Sequence, residues 1–216
     1  MLSDSMRLSS RADLEEWMDG QYAYADYRAC IRDLEAVNRL LRGYQPTLRW
    51  LSNYITTHKR PQHIVDVGCG GGGMLRALES SALCDSNARL VGIDLNPYAA
   101  RTAREITPRD SHITWITCNA LSYKPDASID MIVSSLFTHH LSEQEIVRFL
   151  VWMEATAQGG WFINDLYRSA LSYLAFNALT WTMGWHPFVR HDGPASIRRS
   201  FRHEDWCECV RRLIYP

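Results

Sequence analysis

The sequence predicts an α/β fold built on a doubly wound, mostly parallel sheet with a cap of helices before it. Three observations support this prediction. Short apolar runs recur at a steady interval, helical patterns separate most of them, and a run of glycines joins the first apolar run to a helix. Strands and helices that alternate in this way form a Rossmann-like sheet, whose ligands bind at the carboxyl ends of the strands.

The cap is predicted from two helical patterns near the start of the chain. Apolar residues recur at helical spacing over Tyr27–Leu41, and Gly43 ends this helix. Pro46 is well placed to open a second helix, because proline fits the first helical turn. We therefore assign residues 1–58 to a helical cap and residues 59–216 to the main domain.

Five short apolar runs predict the strands of the sheet. They are His63–Val67, Arg89–Ile93, His112–Thr117, Ser128–Ser134 and Gly160–Asn164. Helical patterns lie between or after them, at Met74–Ser81, Pro97–Ile106, Glu143–Ala157 and His203–Leu213. The third of these helices follows a capping-box sequence, in which Ser142 and Glu145 satisfy free backbone N–H groups of the first turn.

Composition limits the classes of protein to which the chain can belong. Its 216 residues are too few for two full domains. The 23 basic and 24 acidic side chains give a net charge of -1, so no overall field favours nucleic acid or a membrane surface. The arginine pairs Arg198–Arg199 and Arg211–Arg212 are expected to be solvated surface.

The cysteines and apolar stretches bear on the compartment. The six cysteines show no metal-binding spacing, so reduced thiols and no metal site are expected. The stretch Met1–Glu16 is polar and lacks the apolar core of a signal peptide. The longest mostly apolar stretch, Leu171–Trp185, is shorter than the roughly 20 residues of a membrane span. These features predict a cytoplasmic protein without a membrane span.

The glycine run that begins at Asp66 is the strongest functional signal in the chain. It fits the dinucleotide pattern G-x-G-x-x-G through Gly68, Gly70 and Gly73. It fits equally well the pattern acid-x-G-x-G-x-G, which starts at Asp66 and ends at Gly72. In both patterns glycine lets the backbone approach a ligand closely and adopt a positive φ. The first pattern is typical of hydride transfer, and the second of methyl transfer.

Charge helps to distinguish these two patterns. A pyrophosphate would bring negative charge against an ionised Asp66, whereas the cationic groups of S-adenosylmethionine would be stabilised by it. Asp94 follows the second predicted strand, where an acid accepts hydrogen bonds from ribose hydroxyls or caps the next helix. Asn119 follows the third strand and can accept a hydrogen bond from an exocyclic amine or cap a turn. The balance favours methyl transfer.

With these motifs the chain resembles the class I S-adenosylmethionine-dependent methyltransferases, especially their small-molecule branch. The resemblance rests on Val65–Gly72, Gly92–Asn96, Cys118–Ala120, Asp130–Ser135 and Leu136–Leu141. It implies S-adenosylmethionine as cofactor, held by Asp66, Gly68, Cys69, Gly70, Asp94, Leu95, Asn119, Ala120, Ser134 and Ser135. In this assignment the glycine turn holds the methionine part, Asp94 the ribose and Asn119 the adenine amine, and the segment after the fourth strand flanks the sulfonium.

Two features depart from the usual pattern of that family. Its members usually have Asp where this chain has Asn119, although Asn keeps an acceptor atom. Their sheet usually continues past the last helix into an antiparallel β-hairpin, for which the residues after Leu213 leave no room. An uncovered sheet edge invites pairing with another chain, so a homodimer is a possible assembly.

Candidate bases for taking a proton from the acceptor follow the later strands. His139 and His140 come after the fourth strand, and because adjacent side chains diverge, at most one is expected to face the site. Asp165 ends the fifth strand and is either a base or a salt-bridge partner. His186 and His191 lie in a segment predicted as a polar loop. The catalytic candidates are therefore His139, His140, His191 and Asp165.

Residues 168–195 are expected to cover the site. Their apolar stretch predicts either a lid over an apolar acceptor or part of a core or dimer interface. Together these features predict O-methylation of a small apolar or aromatic metabolite, with no nucleic acid as partner. The alternatives are a C-methyltransferase of the quinone-pathway type, an NAD-dependent oxidoreductase and a non-catalytic methyltransferase-like protein.

Overall fold

The computed structural model describes residues 8–214, without the side chain of Ile214. The first seven residues of the predicted cap, and with them part of the stretch Met1–Glu16, lie outside the described residues, as do the last two of the main domain. One sheet contains the strands β1 (His63–Val67), β2 (Arg89–Asp94), β3 (Thr114–Thr117), β4 (Ile129–Ser135) and β5 (Ala157–Asn164). The helices are α1 (Tyr24–Leu40), α2 (Gln45–Tyr54), α3 (Gly73–Glu79), α4 (Pro97–Ile106), α5 (Glu143–Thr156), α6 (Ala170–Met183), α7 (Pro187–Arg199) and α8 (His203–Ile214).

All strand pairs within residues 8–214 are parallel, in the order β3-β2-β1-β4-β5. This order confirms the predicted doubly wound α/β fold. The antiparallel hairpin of the resembled family is not among the elements described in this range. None of the described helices is long and apolar enough to cross a membrane.

Alternate side chains of the strands face two layers of helices. Ile64 and Met131 pack with α2, α3 and α4 on one face of the sheet. Val65 and Ile132 pack with α5 and α8 on the other face. Because both faces are covered, the strands are short, continuous runs of apolar residues. This explains why the sequence pattern located them well.

One predicted loop is a helix. The segment around His186 and His191, predicted as a polar loop, forms the start of α7. Pro187 lies in the first turn, and the side chain of His186 accepts a hydrogen bond from the backbone N–H of Phe188 at 3.3 Å. The interior pair Gly193–Pro194 obscured the helix in the sequence, because both residue types disfavour helix interiors.

The order of the strands reverses at β1, which lies between β2 and β4. The segments that follow β1 and β4 therefore diverge to opposite sides and open a crevice at the carboxyl edge of the sheet. The glycine run follows β1, and a single 3₁₀ turn, Thr138–His140, follows β4. The two strongest motifs of the sequence thus meet at this crevice.

Candidate active site

The glycine turn is shaped by backbone that only glycine adopts readily. Gly68, Gly70 and Gly72 have φ values of 70°, 51° and 79°. A Cβ on Gly68 would collide with the ring of Phe137, and one on Gly72 with the indole of Trp115. The turn therefore needs glycine both for its left-handed conformation and for the aromatic rings packed on it.

Asp66 lies next to this turn and has no hydrogen-bonding partner within residues 8–214. Its side chain is 1% exposed, and neither carboxylate oxygen bonds to another group in the structure. Burial, with the nearby charge of Asp94, raises the pKa of Asp66 well above its usual range. An acceptor buried in this way needs a partner, and a cationic or hydrogen-donating ligand in the adjoining cavity can supply one.

Asp94 ties the end of β2 to the glycine turn. One oxygen accepts a hydrogen bond from the backbone N–H of Gly70 and the other from that of Asn96, each at 2.9 Å. Burial raises the pKa of Asp94, although these N–H groups act in the opposite direction. The helix-capping role belongs instead to Asn96, whose side chain accepts from the N–H of Tyr98. Each Asp94 oxygen keeps a second lone pair for a ligand hydroxyl.

The remaining predicted cofactor residues lie around this edge. Asn119 is exposed, and its Oδ1 accepts a hydrogen bond from the N–H of Leu121 at 3.0 Å, so it caps the turn that begins at Ala120. Leu95 is exposed, whereas the hydroxyl of Ser134 is buried and donates to the carbonyl of Val67 at 2.9 Å. Five of the predicted cofactor residues line a cavity next to the glycine turn: Asp66, Gly68, Cys69, Gly70 and Ser135.

A cavity of about 220 Å³ joins the glycine turn to the turn Thr138–His140. Asp66 lines it from the glycine turn, and the polar side chains of Glu16, His139 and His140 form a second group of lining residues, called here the polar end of the cavity. Its apolar wall comes mainly from α1, α7 and the segment after β4, and includes Ile31, Leu34, Val37, Leu136, Phe176 and Val189. The cavity therefore combines a mostly apolar wall with a few polar groups, as small-molecule sites usually do.

Leu136 stands where β4 runs into this cavity. It has a φ of 57°, a left-handed conformation that is uncommon for a residue with a branched side chain. Its backbone N–H donates to the carbonyl of Asn164 at 2.8 Å, which holds the strand end in place. Strain of this kind is concentrated at functional sites, and here it turns the chain from β4 toward the two histidines.

Asp165 and His139 form a buried pair. His139 Nδ1 lies 2.7 Å from Asp165 Oδ1, and the backbone N–H of His139 donates to Asp165 Oδ2 at 2.9 Å. The hydroxyl of Thr138 donates to the same oxygen. Burial opposes ionisation, but the charge and hydrogen bond of His139 outweigh it and lower the pKa of Asp165. The pair holds the His139 ring so that Nε2 faces Glu16 at the polar end of the cavity.

Both adjacent histidines face the cavity, and the expectation that at most one does is wrong. In the tight 3₁₀ turn their rings lie 4.3 Å apart at 36°, instead of diverging as they would in a strand. The side chain of His140 is 28% exposed, and its Nδ1 lies 3.0 Å from Asp19 Oδ1. Burial would raise the pKa of Asp19, but its bonds to His140 and Arg199 hold it well below the usual range.

Glu16 was not found from the sequence, because it lies more than a hundred residues before the histidines. Its buried carboxylate accepts a hydrogen bond from the hydroxyl of Ser196 at 2.9 Å. Burial raises the pKa of Glu16, although His140, Ser196 and Arg199 act against this. The carboxylate of Asp192 fixes the segment by accepting from the backbone N–H groups of Trp17 and Met18. No local spacing signals this contact.

Arg199 also belongs to the site. The prediction that the pair Arg198–Arg199 is solvated surface is therefore wrong for Arg199. Its side chain is only 11% exposed and lies 2.5 Å from Asp19 and 3.4 Å from Glu16. It also donates to the carbonyls of His139 and His140. The second pair, Arg211–Arg212, is exposed as expected and bonds to Glu208. Arg199 therefore joins the first described residues to the turn after β4.

His191 and His186 lie outside the residues that line the cavity. The side chain of His191 is 40% exposed, stacks on Trp17 at 4.1 Å and bonds to Asp192. Neither histidine therefore lines the cavity with His139 and His140. The predicted cover, residues 168–195, does reach the cavity through Phe176, Val189 and Asp192. Its helix α6 nevertheless leaves Leu171 and Trp181 largely exposed.

Comparisons with known proteins agree with this fold. Residues 64–160 match the family model described as "Methyltransferase domain". The "Ubiquinone biosynthesis O-methyltransferase" of Albidiferax ferrireducens is 28% identical over 200 residues, covering 88% of this chain and 72% of that protein. The protein of the same description from Paraburkholderia phytofirmans is 24% identical and covers 89% of this chain and 82% of that protein.

Among solved structures, the plantazolicin methyltransferase BpumL in complex with SAH is similar to this chain. The TM-score is 0.61 at 18% identity, and the match covers 88% of this chain and 74% of that one. At this identity the similarity establishes the fold.

Proposed function

We propose that this chain, a class I S-adenosylmethionine-dependent methyltransferase, methylates a hydroxyl oxygen of a small apolar or aromatic metabolite. The observation that carries the proposal is the buried Asp165–His139 pair, whose free Nε2 lies at the polar end of the cavity that Asp66 and the glycine turn also line. When bound, the cofactor supplies an electrophilic methyl group on its sulfonium sulfur.

The residues at the glycine turn fit this cofactor on two observations. The unpartnered carboxylate of Asp66 can accept from the ammonium group of the methionine part, directly or through water. Gly70, which lines the cavity, has a positive φ, so glycine keeps this position open to close approach, whereas the space beside Gly68 holds the ring of Phe137. We assign the ribose hydroxyls to Asp94, the adenine edge to Leu95, Asn119 and Ala120, and the sulfonium surroundings to Ser134 and Ser135.

The acceptor hydroxyl is assigned to the polar end of the cavity. Asp165 accepts the Nδ1 proton of His139 and so leaves Nε2 as the proton acceptor for the hydroxyl. The apolar wall excludes water and aligns the acceptor for in-line transfer. The described O-methyltransferase relatives support transfer to oxygen. A base poised beside the cavity favours a hydroxyl acceptor over a carbon acceptor whose proton is lost after transfer.

The test is turnover of the purified chain with S-adenosylmethionine and a panel of hydroxylated aromatic compounds. We expect O-methyl products, identified by mass and by NMR. For His139→Gln we expect kcat to fall at least tenfold while the affinity for S-adenosylhomocysteine (SAH), the cofactor product, stays unchanged. His58→Gln is the matched control, because His58 is exposed and stacks on Tyr54 away from the cavity. C-methylated products, or full turnover by His139→Gln, would refute the proposal.

We further propose that the chain works in the cytoplasm, on a free metabolite rather than on nucleic acid, and as a homodimer. All six cysteines are free, as expected in a reducing compartment. Several apolar side chains on α6 and just before it are exposed, among them Tyr167, Leu171, Leu174 and Trp181. This exposed apolar surface supports a second copy of the chain as partner. Light scattering of the wild type and of Trp181→Ser tests the dimer.

A further inference from the structure

Glu16, His139 and His140 converge on one point at the polar end of the cavity. One nitrogen or carboxylate oxygen from each lies within 4.8 Å of the others. His139 Nε2 is 3.9 Å from Glu16 Oε1, and His140 Nε2 is 3.8 Å from Glu16 Oε2. These distances exceed hydrogen bonds. They approach the separation of about 3.4 Å between two ligands of a tetrahedral ion whose bonds are about 2.1 Å long.

Both histidines are held from behind by carboxylates. His139 Nδ1 lies 2.7 Å from Asp165 Oδ1, and His140 Nδ1 lies 3.0 Å from Asp19 Oδ1. Donation of Nδ1–H to these partners leaves the lone pair of each Nε2 free. Metal-ligating histidines almost always donate their second ring N–H in this way, which fixes the tautomer and the ring. Two separate carboxylate–histidine pairs therefore point at the same space as Glu16.

The charges around this point favour a dication. Three carboxylates surround it, those of Glu16, Asp19 and Asp165, and Arg199 contacts the first two. The guanidinium of Arg11 also lies close by and donates to the carbonyl of His139. With neutral imidazoles, three negative and two positive charges leave a net negative charge in a largely buried cluster. A bound cation would offset this charge, whereas an uncompensated buried charge is costly.

We propose that Glu16, His139 and His140 bind a divalent transition-metal cation of the zinc class, with one coordination position open to the cavity. Two imidazoles and one carboxylate suit zinc or iron(II), whereas magnesium prefers oxygen ligands. Three protein ligands with an open position are the arrangement of catalytic rather than structural zinc.

The open position would take the acceptor as its oxyanion, the hydroxyl proton having passed to solvent as the acceptor enters the cavity. With the cation bound, His139 is a ligand, and the cation takes over the lowering of the hydroxyl pKa. The binding site itself stands on the geometry of the three ligands. Only this role in methyl transfer rests on the proposed function.

The test is calorimetric titration of the metal-free chain with Zn²⁺, with Mg²⁺ as the comparison ion. His203 Nε2 and Cys207 Sγ lie 3.5 Å apart on α8 and can bind zinc at the surface, so His203→Ala serves as the background for all titrations. In that background we expect one equivalent of zinc to bind and magnesium not to displace it. Glu16→Gln and His140→Gln should weaken zinc binding at least 100-fold, and Asp19→Asn about 10- to 100-fold.

SAH affinity, measured on the same samples, shows that each variant is folded. Equal zinc affinity in the parent, Glu16→Gln and His140→Gln, or no stoichiometric binding at all, would overturn the site. Zinc binding without any change in turnover would overturn the role of the cation and leave the site standing. A zinc-loaded chain that methylates no hydroxyl would instead refute the proposed function, so the failures are distinguishable.

Discussion

Replacing Asp66, whose side chain has no partner within residues 8–214, should have opposite effects on the stability of the protein and on SAH binding. In the ligand-free protein, Asp66→Asn replaces a buried, titratable carboxyl group that has no hydrogen-bonding partner within residues 8–214 with a neutral amide. Ionising such a buried carboxyl group costs more than burying a neutral amide there, by on the order of 1–3 kcal/mol. For a chain of this size, each kcal/mol corresponds to about 2–4 °C in Tm. We therefore expect Asp66→Asn to melt above the wild type by several degrees near neutral pH.

The stability difference between Asp66→Asn and the wild type should depend on pH. The pKa of Asp66 is raised in the folded state above the unfolded value of about 3.9. Its contribution to stability is therefore complete below that value and is lost as the pH rises through the folded-state pKa. Because the asparagine variant has no such titration, its advantage over the wild type should grow from mildly acidic to alkaline pH. Urea unfolding at a series of pH values measures this difference.

Binding should change in the opposite direction. Loss of a charge-assisted hydrogen bond to the cofactor, about 1.5–3 kcal/mol, should weaken SAH binding by about 10- to 150-fold in calorimetry. Asp130→Asn is the matched control, because Asp130 bonds to the backbone N–H groups of Gln62 and His63 outside the cavity. The control should lose stability and keep SAH affinity. A stability difference for Asp66→Asn that does not vary with pH, or unchanged SAH affinity, would refute the reasoning.

Three further predictions follow from the same site. Asp165→Asn should lower kcat by about 10- to 100-fold, since the bond that orients His139 loses its charge, while SAH affinity stays the same; equal kcat would contradict the pair's role. Gly72→Ala should destabilise the fold by more than Gly184→Ala. Both glycines have a positive φ, which costs alanine about 1–2 kcal/mol of strain, but only the Cβ at position 72 would also collide with an indole ring. Equal losses of Tm in the two variants would refute this. Asp94→Ala should abolish measurable SAH binding, and retained affinity would exclude the ribose assignment.

The fold and the geometry of the glycine turn could be predicted because their signals are local. The strands are buried apolar runs, and the glycine turn lies within eight consecutive residues. The pairing of His139 with Asp165 also follows from the order of elements, because both residues stand at the carboxyl ends of the neighbouring strands β4 and β5. Parallel neighbours bring such positions together whatever the distance in sequence.

The polar end of the cavity could not be predicted, because its contacts join distant segments. Asp192 on α7 binds the backbone N–H groups of Trp17 and Met18, which directly follow Glu16, and so helps to hold Glu16 near His139. Arg199, at the end of α7, contacts the Glu16 carboxylate as well. Periodicity also failed at α7, where Gly193 interrupts the helical pattern. The two adjacent histidines share the cavity because a 3₁₀ turn, unlike a strand, lets neighbouring rings lie side by side.

The central claim is that the cofactor and the Asp165–His139 pair share one cavity. A crystal structure with SAH bound tests it most directly. The account predicts that the amino group of SAH contacts Asp66, that its ribose contacts Asp94, and that its sulfur faces the space in front of His139 Nε2. SAH bound outside this cavity, or a sulfur separated from His139 by protein, would contradict it.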